Sequence, residues 1–280
     1  MDGCSRRRRR CNNPCSSSSV PSEERDWAAL PRDVLFDVFL RLSSSEIMWG
    51  AEAVCKAWRR VAIEEPKLWR HIHITILREW SPVDSAVFDA VDRSVGLCES
   101  FSGPWEDMSL LYLAESVEDS SYEVLIEAIK TLPLLEDLEV SFPYSHICAA
   151  ERFESVCKAR PLLKNLKIKF TMPSDYSFDE AVLEEFIDGD RYRTPMMCEL
   201  RSLELSNYLF SGLALTAILD NCPLLESLNI TGHFMDGVMD AQLRAKCARV
   251  KNLNLPYFSD DEDEEPEEDE DEEPEGDDEF

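Results

Sequence analysis

The chain has 280 residues, enough for one large domain or two smaller ones, and 44% of them are hydrophobic, enough for a substantial core. Its net charge of −28 is uneven: Asp260 to Phe280 hold 17 Asp or Glu among 21 residues, and removing those 17 charges leaves −11 for the remainder. An acidic body argues against nucleic-acid binding, which needs a basic surface for phosphates. No apolar run approaches the length of a membrane span.

Residues 1–24 are rich in Arg, Ser, Asn and Cys and have no hydrophobic period, so they read as a disordered head. Arg6 to Arg10 lead into Cys, Asn, Pro and Ser rather than into the apolar stretch of a secretory signal, which argues against export. The ten cysteines of the chain then read as reduced thiols in the cytosol or nucleus. The five arginines suit either nuclear import or a loose pairing with the acidic run.

Residues 25–68 form a compact helical segment. Pro31 suits the first turn of a helix, where a missing N–H costs nothing. From Val34 to Leu42, seven of nine residues are apolar, more than the one stripe a surface helix buries. Ser43-x-x-Glu46 reads as the capping box of a second helix. Ala53, Val54, Ala57, Trp58 and Val61 follow at helical spacing until Pro66 ends the run. A piece of this size cannot bury a sufficient core alone and must pack on its neighbours, on a partner, or on both.

Residues 69–258 repeat one template, apolar-x-x-apolar-x-apolar. It occurs as "WRHIHI", "MSLLYL", "LEDLEV", "LKNLKI", "LRSLEL", "LESLNI" and "VKNLNL", whose central residues step by 39, 27, 28, 37, 25 and 25 positions. Helix-like stretches lie between them: "YEVLIEAIKTL", "RFESVCKAR", "EAVLEEFIDG", "LALTAILDNC" and "AQLRAKCA". A strand and a helix that cannot bury their apolar faces alone must stack on further copies. The fold class is therefore α/β: a leucine-rich-repeat solenoid of six or seven irregular repeats behind a short all-helical segment. The residues flanking each central apolar position point out of the sheet. Among them Asp137, Glu139, Asn165, Lys167, Glu204, Asn229 and Asn254 are polar and varied, a surface for a macromolecule rather than a small substrate. Residues 259–280 read as a disordered acidic tail.

These residues resemble a known family. Trp27-x-x-Leu30-Pro31, with Leu35, Phe39 and Leu42, then "VCKAWRR", then Pro66-x-Leu68-Trp69, is similar to an F-box. The segments "LPLLEDLEV", "RPLLKNLKI" and "CPLLESLNI" resemble cysteine-containing leucine-rich repeats. Together they are similar to plant F-box/LRR-repeat proteins of the SKP1-interacting-partner subgroup. The resemblance implies a substrate receptor of an SCF (SKP1–cullin–F-box) ubiquitin ligase. The F-box would dock on a SKP1-like protein, and through it on cullin and RING subunits, while the repeats hold a target protein. It implies docking through Leu30, Pro31, Leu35, Leu42, Val54 and Trp58, with Leu30, Pro31 and Leu35 in direct contact and Trp58 either in contact or internal. The turn "SSSEIMWGAEA" is less apolar and less acidic than many F-boxes. A rival of another class is a repeat scaffold outside any ligase, whose acidic tail holds basic nuclear proteins.

Enzyme signatures are missing from the sequence: no P-loop, no GxSxG, no HExxH and no dinucleotide fingerprint. A non-catalytic adaptor without cofactor or metal is expected, in the nucleus, the cytoplasm or both. Cys4, Cys11 and Cys15 lack the tight pairs of a zinc site. His71-x-His73 share one strand face and read as ordinary surface residues. Cys222 and Cys247 read as small packing residues at helix ends.

Overall fold

The structure, a computed structural model, describes residues 26–75, 83–104, 120–143, 149–171, 193–234 and 239–256. Its frame is one parallel sheet of seven strands whose spatial order is the chain order. The strands are β1 (His71–His73), β2 (Ser100–Pro104), β3 (Asp137–Pro143), β4 (Asn165–Thr171), β5 (Ser202–Phe210), β6 (Ser227–Phe234) and β7 (Asn252–Asn254). Helices precede the sheet and alternate with its strands: α1 (Arg32–Phe39), α2 (Ser44–Glu46), α3 (Glu52–Val54), α4 (Lys56–Glu64), α5 (Val83–Ser94), α6 (Ser120–Lys130), α7 (Ala149–Ala159), α8 (Gly212–Asn221) and α9 (Ala241–Cys247). Parallel neighbours need a crossover, and a described helix supplies it between each successive pair except β4 and β5, whose connection lies largely outside the described residues.

The template explains the sheet. Leu138, Leu166, Leu203 and Leu228 are in register across β3 to β6 and are all buried. Side chains alternate along a strand, so the residues between them face the other way. The pattern along β4, exposed and buried in turn, shows this directly. One continuous core runs from Leu35 and Phe39 of α1 through β1 to β6 and ends at Val250, just before β7.

The second strand departs from expectation. The place between β1 and β3 is filled by Ser100–Pro104, paired to both neighbours through Phe101. The segment "MSLLYL" lies outside the described residues, as do the helix-like "EAVLEEFIDG", the head and the acidic tail. The template survives at β2 as Cys98-x-x-Phe101-x-Gly103, with Cys98 and Phe101 buried. Cys and Gly stand where leucines were sought, which is why the strand is hard to read. Helix α5 was not anticipated either.

The helical segment is broken more often than its periodicity predicts. Pro31 is the N-cap of α1 rather than part of its first turn, and the helix ends at Phe39 instead of running on to Leu42. Ser43 and Glu46 form the expected capping box: the Glu46 main-chain N–H donates to Ser43 Oγ at 3.2 Å, and the Ser43 N–H donates to Glu46 Oε2 at 2.8 Å. Helix α2 then continues through a π-type segment, Ile47–Ala51, into α3. Cys55 is fully extended and separates α3 from α4, so Val54 and Trp58 belong to different helices.

One bulge marks the sheet. The register of β5 and β6 shifts between Leu205 and Tyr208, where Asn207 takes φ of +57°. Opposite it, Gly232 has φ of +136°, and a Cβ there would lie 2.1 Å from the Tyr208 carbonyl oxygen. Only glycine fits that approach.

Candidate functional site: an exposed helix flank and the open face of the sheet

Two surfaces carry the candidate residues. The first is built around α1. Leu35 is 1% exposed and Phe39 is fully buried, with the Trp58 ring edge-on to Phe39 at 5.5 Å. The Trp58 indole N–H donates to the Trp27 carbonyl at 3.0 Å, so Trp58 braces α4 against the turn before α1. It is half-buried. Arg32 ties the start of α1 to the end of α4 through Glu64 and Glu65, both at 2.8 Å.

Leu35 corrects the expectation of a direct contact. A side chain so enclosed offers no surface to a partner, and it serves the inside of the helical segment instead. Of the other expected docking residues, Pro31 and Val54 are exposed, while Leu30 and Leu42 are half-buried. Sequence reasoning missed Trp27, Val34, Val38 and Leu40, each more than a third exposed. Val34 and Val38 lie one turn apart on the same flank of α1, beside the buried Leu35–Phe39 stripe. The signal was present in the surplus of apolar residues from Val34 to Leu42.

This helical segment is fixed to the sheet. The Ser44 hydroxyl lies 3.4 Å from the His71 carbonyl and accepts from the His73 N–H at 3.2 Å. The Ser45 hydroxyl does the same one step on, 3.3 Å from the His73 carbonyl and 2.8 Å from the Thr75 N–H. Two buried serines thus stand in for a neighbouring strand along the outer edge of β1. Trp69 is fully buried, donates to the Ala62 carbonyl at 2.9 Å, and carries the Arg93 guanidinium 5.0 Å above its ring. Arg93 of α5 in turn pairs with Glu52 of α3.

The second surface is the face of the sheet opposite the helices. Asp137, Glu139, Asn165, Lys167, Glu204, Asn229 and Asn254 all lie on it, in two rows that cross the strands. One row joins Ser102, Glu139, Lys167 and Glu204: Ser102 Oγ donates to Glu139 at 3.1 Å, and Lys167 Nζ lies 3.4 Å from Glu139 and 3.5 Å from Glu204. Partial burial opposes the Lys167 charge but is outweighed by the two carboxylates, which push its ammonium above the usual lysine range. Asn165 donates to Asp137, and Asn254 to Asn229 at 2.7 Å. The residues therefore bond along the rows, charged from β3 to β5 and neutral amide or hydroxyl from there to β7.

A third feature went unread. The residues just before the strands form ion pairs along one rim: Arg70 with Glu99, Glu136 with Lys164 at 2.7 Å, and Glu226 with both Arg201 at 3.2 Å and Lys251 at 2.9 Å. The carboxylates of Glu99, chiefly through its hydrogen bond with Arg70, and Glu226, chiefly through Lys251, are held below the usual range. Among the described residues no group of three or more His, Cys, Asp or Glu is placed to hold a metal. His71 and His73 are exposed on the open face, and Cys4, Cys11 and Cys15 lie outside the described residues. Cys222 and Cys247 are buried, and burial pushes the Cys222 thiol up to about 12, so it packs as a neutral side chain.

Comparison with known proteins adds to this geometry. Residues 27–75 match the F-box-like family, past Leu68 and through β1. F-box/LRR-repeat protein 22 of Arabidopsis thaliana is 31% identical over 304 residues, 95% of this chain and 94% of that protein. F-box/LRR-repeat protein 9 of the same plant is 31% identical over 77% of this chain and 94% of its own length. F-box/LRR-repeat protein 23 is 31% identical over 88% of this chain, which spans only 58% of that longer relative.

Proposed function

Since the chain belongs to the F-box/LRR-repeat family, we propose that it is a substrate-recognition subunit of an SCF-type ubiquitin ligase. The F-box docks on a SKP1-like protein, and through it on cullin and RING subunits. The strand–helix units form a leucine-rich-repeat solenoid whose open face holds a target protein. The chain does no chemistry itself. Its contribution is proximity, holding a lysine of the target near a charged ubiquitin carrier.

The observation that carries this reading is the exposed flank of α1. Burial accounts fully for only Leu35 and Phe39 of its apolar residues. Val34, Val38 and Leu40, with Pro31 before the helix and Val54 beyond it, stay exposed in a segment fixed to the sheet through Ser44 and Ser45. An apolar helix flank of this kind suits a helix-in-groove contact. Docking thus falls to Leu30, Pro31, Leu42 and Val54 together with Val34, Val38 and Leu40, and Leu35 and Trp58 hold their shape. On the sheet, Glu139, Lys167 and Glu204 offer both signs of charge, flanked by Asp137 and Asn165. Asn229 and Asn254 offer amides.

Co-purification with a SKP1-like protein tests the proposal. The wild type is expected to bind in equal proportion, and Leu30→Ala with Pro31→Ala to lose the partner while its circular-dichroism spectrum is unchanged. Equal recovery from both chains would overturn the docking assignment.

A further inference from the structure

The two outer strands of the sheet are finished differently. The outward main-chain groups of β1 are met by Ser44 and Ser45. At the other side, the Asn252 N–H donates to the Glu226 carbonyl, so Asn252 faces β6. Alternation along the strand then turns the N–H and C=O of Leu253 outward. Among the described residues β7 has one neighbour, β6, and nothing pairs with Leu253 on its outer side. The Leu253 side chain repeats the contrast. Its counterparts across the sheet, from Ile72 to Leu228, are at most 2% exposed, and Leu253 is 38% exposed. The core and the hydrogen-bonding ladder stop together, and a sheet edge left this way is a template for another strand.

Charge selects the occupant. The chain leaves the sheet at Leu255 and Pro256, and the run of 17 acidic residues begins at Asp260. Lys251, just before β7, is held by Glu226 at 2.9 Å. A second copy pairing edge to edge would bring two such runs together. The acidic run itself has no alternating apolar residues to lay on Leu253.

We propose that the outer edge of β7 is a docking strand for an extended, Lys/Arg-rich segment of another protein, which adds to the sheet through main-chain hydrogen bonds at Leu253. The acidic run steers that segment to the edge by long-range attraction, and an apolar side chain of the segment covers Leu253. The mode is strand addition. The site lies about 29 Å from β1, six strand spacings across the sheet, and it stands independently of the ligase reading.

The test uses the full chain and a labelled octapeptide of alternating Lys and Val, followed by fluorescence anisotropy. The peptide is expected to bind and to weaken with added salt, and its Glu–Val counterpart is expected not to bind. Leu253→Pro removes the outward N–H and no bond to β6, and should weaken binding at least tenfold. Methylating alternate main-chain nitrogens of the peptide should do the same to the wild-type chain, which guards against a misfolded variant. Removing residues 259–280 should weaken binding and flatten its salt dependence. Failure of the Lys–Val peptide to bind, or equal binding by Leu253→Pro and by the methylated peptide, would overturn the proposal. So would slow hydrogen exchange at Leu253 in the isolated chain, which would mean that the chain's own residues cover the edge. A dimer abolished by Leu253→Pro would assign the edge to a second copy. Recovery of a SKP1-like protein should be unaffected throughout.

Discussion

The first and last strands of the sheet began as the same problem and were solved in opposite ways. Ile72 of β1 and Leu253 of β7 occupy the same place in the repeated template, each on an outermost strand. Ile72 is 1% exposed because the F-box packs over it, and Leu253 is 38% exposed. Serine hydroxyls satisfy the outer main chain of β1, while no described residue does so for β7. The lesson is that the F-box does two jobs. It exposes an apolar flank on α1, and it closes the parallel sheet at the end where β1 would otherwise be open, as terminal caps do in stacked repeats.

Mutations can sharpen this contrast. The largest difference is expected between equivalent leucines in adjacent strands. Leu228→Ala, at a site with no exposure, should cost about 2–5 kcal/mol in denaturant unfolding. Leu253→Ala removes a side chain already partly in water and should cost no more than about 1 kcal/mol. Equal losses would mean that the last strand is as enclosed as its neighbour. Next, Ser44→Ala and Ser45→Ala each leave edge groups of β1 without a partner, and each should cost about 1–3 kcal/mol. Amide exchange at His73 and Thr75 should speed up in step. Unchanged exchange there would remove the serines from their edge-sealing role.

Smaller effects come from the surface. Ser43→Ala removes an N-cap side chain and should cost about 1 kcal/mol. The main-chain N–H and hydroxyl of Ser43 hold the Glu46 carboxylate below its usual range. A carboxylate depressed in the folded state stabilises above its unfolded pKa, and that gain is lost as pH falls through the folded value. The wild type should therefore lose more stability than Ser43→Ala on acidification below about pH 4.5. Smallest of all, Lys167→Ala on the open face should change stability by less than about 1 kcal/mol, since its ion pairs are exposed.

Much of the fold was legible because leucine was written where the core needed it. Strands β3 to β7 carry the template with aliphatic residues at every position, and their outward residues follow from alternation alone. Strand β2 was not legible, since Cys98, Phe101 and Gly103 satisfy the same geometry with other residue types. The capping box was local and could be read from four residues. Ser44 and Ser45 could not, because their partners at His71, His73 and Thr75 are met only once the chain has folded back. On α1 the apolar surplus was plain, but its division was not. Leu35 went inward, and Val34 and Val38 went outward, a matter of about 100° around one helix. The open end was hidden for the opposite reason: "VKNLNL" looks like every other copy, and only its lack of a second neighbour among the described residues sets it apart.

The most direct test of the account is a calorimetric titration of the chain with a purified SKP1-like protein. Three variants should be compared with the wild type: Val34→Glu with Val38→Glu on the flank of α1, Lys167→Glu on the open face, and Leu253→Pro at the far edge. The account predicts one-to-one binding by the wild type, retained by the latter two and lost by the first, whose folded spectrum stays intact. Binding retained by the α1 variant, or absent from the wild type, would contradict the assignment of the F-box flank as the docking surface.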